Sequence, residues 1–266
     1  MKRELKKQLK RIDKQEKKIL NKQENRLFKT KIGPVKEKIQ GKIPDKLRLT
    51  LESAFLKGFQ LVFEKGNKYI EKTYNRNKIQ LEYDFNNYAI DKKLTRKYIK
   101  RLDKQANHLK ELNSSFSILE GGVLGALGIG LPDIPLFISL IMKTIYEIAL
   151  SYGYDYNAQE ERAYILLIIC GAMTQGHRKR EFNEQIKRLG NRIDQQMDTK
   201  INLEDQIKVV AHILSETMLM AKFIQGIPII GVVGGAVNYN IIKKIGKYAS
   251  CLLYTSDAAD DLTRVD

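Results

Sequence analysis

The run GGVLGALGIGLPDIPLF at residues 121–137 constrains the fold more than any other stretch of the chain. Glycine recurs through apolar sequence, and a Pro-Asp-Ile-Pro turn interrupts it. Phosphate loops, membrane spans and tight joints between buried helices all use such a pattern. The phosphate loop fails on its residues. Gly125 and Gly130 supply G-x-x-x-x-G, but Leu131 and Pro132 stand where a lysine and a hydroxyl are needed. A dinucleotide fingerprint fails too, because Gly128-Ile129-Gly130 is followed by Leu131-Pro132-Asp133 with no clear preceding strand. A spanning helix needs ~20 consecutive apolar residues. Twelve uncharged residues lie between Glu120 and Asp133 and nine between Asp133 and Lys143, and Pro132 and Pro135 break the combined stretch.

A second glycine-rich run, GIPIIGVVGGAV at 226–237, carries Pro228 and is followed by Asn238 and Asn240, so it does not convincingly span either. Small residues at Gly121, Gly125, Gly231 and Gly235 would let helices approach closely. Two readings follow: a glycine-rich hairpin inside a core, which we favour, and an apolar hairpin that enters lipid conditionally.

Elsewhere the apolar period is helical. Leu47, Leu51, Ala54, Phe55, Phe59 and Val62 predict a helix after Pro44, with Asp45 as its cap. Further helices are predicted at roughly 93–112, 132–152, 158–173, 179–196 and 203–225. Asn157 is the predicted cap of the fourth, and Glu160 and Glu161 fall in its first turn, where the helix dipole favours acids. Strand-like alternation is scarce. The expected fold is all-α: a compact multi-helix domain with two glycine-rich apolar segments, preceded by a basic helical arm.

That arm sets the charge problem. The 266-residue chain has a formal net charge of +16, and Met1–Arg26 carries eleven Lys/Arg against four acids. Leu5, Leu9, Ile12 and Ile19 form only a thin apolar stripe through it. Such a surface favours anionic partners, either an anionic membrane surface or nucleic acid. Without a helix-turn-helix or an RNA-binding aromatic motif, nucleic acid is the weaker choice. The arm lacks the apolar core of a secretory signal. Gly33, Pro34, Gly41 and Pro44 mark a linker, so the expected units are 1–43, the helical domain 44–250 and a tail, 251–266.

The tail stands apart because CLLYTSDAAD resembles the translation of a transposase-type sequencing adapter, codon by codon. We therefore read 251–266 as non-native, outside the core, and expect the natural C-terminal sequence to be missing. Cys170 then remains as the native cysteine, in the apolar run LLIICGAM, where it reads as a small buried hydrophobe. That excludes a disulfide framework and suits a reducing compartment.

Two separated segments resemble the EcsC family of bacterial proteins. They are EGGVLGALGIGLPDIPLFISLIMKTIYEIALSYGYD (120–155) and KFIQGIPIIGVVGGAVNYNIIKKIGKYA (222–249). The shared features are the G-L-P-D-I-P turn, the E-I-A-x-x-Y-G segment and the I-P-x-x-G-x-x-G-G-A-x-N run, and the resemblance covers roughly Pro44–Ser250. It implies a mostly helical cytoplasmic protein of unestablished biochemical role. It also implies work linked to a membrane, with an ABC-type exporter as one partner, and it supplies no catalytic residues.

The polar residues assemble no clear chemistry. Asp133, Glu147, Tyr152 and Asp155 are the candidates for a pocket or structural motif. Asp133 reads first as the cap of the following helix, and Glu147 as the partner of Lys143 one turn earlier. Fourteen residues of helix put Asp133 and Glu147 ~20 Å apart, too far for paired carboxylates. Tyr146, Tyr152, Tyr154, Tyr156 and Tyr164 surround Asp155 and could line a pocket, edge a core or meet lipid headgroups. His108, His177 and His212 lack ligand spacing, so no metal site and no cofactor is predicted, and the small-molecule ligand is left open. The favoured function is non-enzymatic and peripheral at the inner membrane or on a membrane partner. The alternatives are a soluble enzyme with a pocket near Asp133 and Glu147, and a helical nucleic-acid binder.

Overall fold

A computed structural model describes residues 10, 14, 17, 41, 43–92, 133–199, 201–224 and 234–264. Among them there is helix and loop but no strand. Helix α1 (Asp45–Leu61) passes through a π-helical turn (Val62–Gly66) into a short α2 (Asn67–Glu71). Helix α3 (Arg76–Lys92) follows a tight turn. Beyond come α4 (Asp133–Ser151), α5 (Gln159–Met173), α6 (Gly176–Asp194), α7 (Leu203–Ile224) and α8 (Gly234–Arg264).

Helices α4 and α5 are the centre, and α8 packs against both. Helix α1 bridges α4 and α7, α7 also covers α5, α6 lies on α5, and α3 lies on α4. Hydropathy explains this order. The apolar run of α5, Ala163–Met173, is buried without a break, as a helix apolar all round must be. Helix α6 is polar nearly throughout and buries only a stripe containing Phe182, Ile186 and Leu189. The predicted stripe of α7 is buried at Ile207, Val210, Ala211, Leu214 and Met218.

Two close approaches fix helix crossings. A Cβ on Gly58 of α1 would stand 2.6 Å from Ile138 Cδ1 of α4, and one on Gly171 of α5 would stand 2.5 Å from the Tyr248 hydroxyl of α8. Gly153, at φ +77°, ends α4 where an L side chain would be strained, and a Cβ there would meet the Tyr83 ring of α3.

Several expectations need correction. Pro44, not Asp45, is the N-cap of α1; it has no side-chain donor or acceptor, and Asp45 acts within the first turn through the dipole. Ala158, not Asn157, caps α5, because the Asn157 amide instead donates to Asp155 at 3.0 Å. The tail does reach the core. Leu252 and Leu253 are 7% and 4% exposed, continuing the spacing of Ile241, Ile242, Ile245, Tyr248 and Ala249 along α8. Gly121, Gly125 and Gly231 and the predicted helix at 93–112 lie outside the described residues, while Gly235 falls in the first turn of α8.

Candidate functional site

The polar side chains converge where the α2–α3 turn meets the loop after α4. Tyr74 donates to the Tyr156 hydroxyl at 2.6 Å, and Tyr156 donates to Glu71 Oε1 at 3.0 Å. Arg76 closes the chain of bonds. Its guanidinium lies 3.7 Å from Glu71, 3.1 Å from Asp155 Oδ1 and 5.1 Å from the Tyr156 ring centroid. Tyr146 stacks on Tyr156 with ring centroids 4.0 Å apart. Asp155 also accepts from the Tyr156 backbone N–H at 2.7 Å. Burial, reinforced by donation to Tyr156, holds the Tyr74 phenol far above its ordinary range. Burial pushes Tyr156 up to about 12, against the opposing pull of its bond from Tyr74 and of Arg76. Both phenols stay protonated at neutral pH. The network fastens the start of α3 to the end of α4 and holds no activated nucleophile.

Adjoining it through Asp155 is a cavity of about 30 Å³, room for a water or two. Its polar lining is Asp155, Glu161 and Asp194, with Tyr154 and Tyr164; Ile145, Ile165 and Leu253 are among its apolar wall. Burial comes first in pushing Glu161 up to about 7, and the nearby charges of Asp155, Asp194 and Glu160 add to it. Glu160 accepts from the Thr199 hydroxyl at 3.2 Å, which ties this rim to the loop before α7. The arrangement can exchange a proton near neutrality. It is far smaller than the ~300 Å³ or more of an ordinary small-molecule site.

The predicted site residues separate. Asp155 belongs to both the network and the cavity. Glu147 and Tyr152 are buried in α4 and just after it, outside the cavity lining, and Asp133 is the first residue of α4. Of the tyrosines around Asp155, Tyr154 and Tyr164 line the cavity, whereas Tyr146, Tyr152 and Tyr156 pack in the core. Sequence reasoning missed Tyr74, Glu71 and Arg76, which lie about 80 residues from Asp155 in a segment with weak helical signal. It also assigned Glu161 only a dipole role. Cys170 is buried, and burial raises its thiol to about 12, which leaves it unreactive. His177 pairs with Glu181 and His212 with Glu52, and among the described residues no group of three or more His, Cys, Asp and Glu is placed to hold a metal ion.

No curated protein and no solved structure matches the chain. The model of the EcsC protein family matches residues 6–254, reaching into the basic arm at one end and past Ser250 at the other. With the G-L-P-D-I-P turn, the second glycine run and an all-helical fold inside that span, the chain belongs to the EcsC protein family.

Proposed function

We propose that this chain is a non-enzymatic helical protein that associates peripherally with an anionic membrane surface, its basic arm making first contact. The observation that carries the reading is the arm's charge and display. Eleven Lys/Arg stand against four acids in Met1–Arg26, and Lys10, Lys14 and Lys17 are helical and exposed. Their spacing of four and three places them on one face of a helix. Each basic residue near an anionic surface contributes ~1 kcal/mol, and salt screens that attraction beyond a Debye length of ~10 Å at 0.1 M.

A peripheral mode also fits the core. Ile134–Ser151 is the described helical stretch long and apolar enough to cross a bilayer, and 72% of it is buried inside the fold. Using it to span would mean dismantling the contacts of α4 with α1, α3 and α8.

The test is co-flotation of the full chain with phosphatidylcholine vesicles, with and without phosphatidylglycerol, at low and high salt. Flotation is expected with anionic vesicles at low salt and not with neutral ones. Reversing Lys10, Lys14 and Lys17 to glutamate should weaken it about tenfold or more. No flotation with anionic vesicles at low salt refutes the reading. Tighter binding to DNA in the same buffer would replace the membrane with nucleic acid.

A further inference from the structure

Helix α3 has two opposite apolar faces, and the core accounts for one of them. Ile79 is buried and Tyr83 packs over Gly153, both toward α4. Leu81, Phe85 and Tyr88 recur at four and three residues on the far side, 69%, 64% and 62% exposed. At 100° per residue these three fall within about 60° of one another, and Ile79 and Tyr83 lie about 120–180° away from them. Lys78 borders the stripe on one flank and Asp84 on the other, both exposed. The sequence then turns basic: Lys92, Lys93, Arg96, Lys97, Lys100, Arg101 and Lys104 against the single acid Asp103. The start of the helix is held by the Tyr74–Tyr156 bond and the Arg76 pairs, so the stripe is displayed on a fastened element.

We infer that the outer face of α3 is a lipid-contact surface, the apolar part of the membrane association proposed above, on which it rests. Leu81, Phe85 and Tyr88 would enter the boundary between headgroups and acyl chains of an anionic phospholipid bilayer. Size and charge select this occupant. Three such side chains offer roughly 400 Å² of apolar surface, about half of the ~800 Å² per partner that a stable protein interface buries. A bilayer needs less, because electrostatic attraction to anionic lipid adds to modest apolar insertion. An aromatic pair beside a leucine also suits the interfacial layer.

The chain has no tryptophan, which gives a direct optical test. Phe85→Trp in the full chain places a single reporter on the stripe, and Val209→Trp places one on the exposed surface of α7. Anionic vesicles should blue-shift the emission of the first and leave the second unchanged. In flotation, the unaltered chain should leave a bound fraction that survives a high-salt wash, and Leu81→Ser with Phe85→Ser should lose most of it while keeping low-salt capture. Low-salt flotation without a shift for Phe85→Trp, or with equal shifts at both positions, overturns this inference and leaves the electrostatic reading standing. So does a salt-resistant fraction unchanged by the double substitution. No flotation at low salt removes both. An emission already blue-shifted and indifferent to vesicles would put a segment of the same chain over the stripe, and one that shifts with protein concentration alone would put a second copy there; either overturns the lipid assignment.

Discussion

Helices α3 and α4 lie against each other and divide apolar surface in opposite ways. Helix α4 has the composition of a membrane element, yet α1, α3 and α8 enclose it, and Phe137, Ile138, Ile141, Ile145 and Ile148 are buried. Helix α3 is polar on average, yet it leaves Leu81, Phe85 and Tyr88 at the surface. Mean hydropathy states how much apolar surface a helix must hide; the neighbours decide whether it is hidden. The helix that would be chosen as the lipid contact from composition is the least available for it, and the helix that composition passes over has the exposed stripe.

The comparison breaks most visibly under a charge. Ile141→Asp would place a carboxylate in the fully buried face of α4, with a cost of at least ~4 kcal/mol and loss of cooperative folding. The α3 pair Leu81→Ser and Phe85→Ser should move the unfolding free energy by only ~0.5 kcal/mol each. Urea unfolding followed by far-UV circular dichroism separates the two. A loss of several kcal/mol in the α3 variant would mean that the stripe is packed, and the contrast between the helices would collapse.

These two helices also show where the sequence was legible. Strong, one-sided or all-round apolar periodicity placed α1, α4, α5 and α7 within a few residues, because burial of such faces leaves few alternatives. Helix α3 was missed because Ile79, Leu81, Tyr83 and Phe85 alternate with polar residues, a period of two that masks the helical one. The polar network was illegible for another reason: Tyr74 and Arg76 meet Asp155 and Tyr156 only through the packing of α3 on α4. Glycines cluster in the sequence at residues 121–125 and 231–235. The close approaches that the structure describes use Gly58 and Gly171, single glycines flanked by Lys57 and Phe59 and by Cys170 and Ala172. A lone glycine inside an otherwise good helix was the available signal, since it costs ~1 kcal/mol relative to alanine and needs a reason.

Those glycines sharpen how tightly the centre is closed. Gly171→Ala sets a methyl 2.5 Å from the Tyr248 hydroxyl and 2.9 Å from Cζ. The ring cannot easily yield, because Tyr248 bonds to Asn183 and Lys179 Nζ sits 4.9 Å from its centroid. Overpacking there should cost ~1–3 kcal/mol. Gly58→Ala meets only the terminal methyl of Ile138, which can rotate aside, and alanine's helix preference returns up to ~1 kcal/mol. A near-neutral Gly58→Ala with a destabilising Gly171→Ala, read from urea midpoints, is the expected pair. Equal costs would mean that the α1–α4 crossing is as unyielding as the α5–α8 crossing.

The smallest effect probes the place where α4 meets polar neighbours. Ile145 and Ala149 of α4 share the cavity with Glu161, whose carboxyl is raised from an ordinary 4.5 to about 7 by burial and by the acids around it. The folded chain therefore holds this proton more tightly than the unfolded chain does. Below the unfolded value both states carry the proton, and the stability it contributes is fully present. As pH rises toward and through about 7, the folded state must accept a charge beside Asp155 and Asp194, and that stability is lost. Glu161→Gln cannot ionise, so it should flatten the fall in stability between pH 4.5 and 8 and exceed the unaltered chain at pH 8. The carboxyl is only partly buried, so water screens the interaction and keeps the effect modest. Urea midpoints of both chains across that range measure it. Parallel curves would mean that Glu161 titrates as it does in water, and that α4 has no charged neighbourhood of consequence on its cavity side.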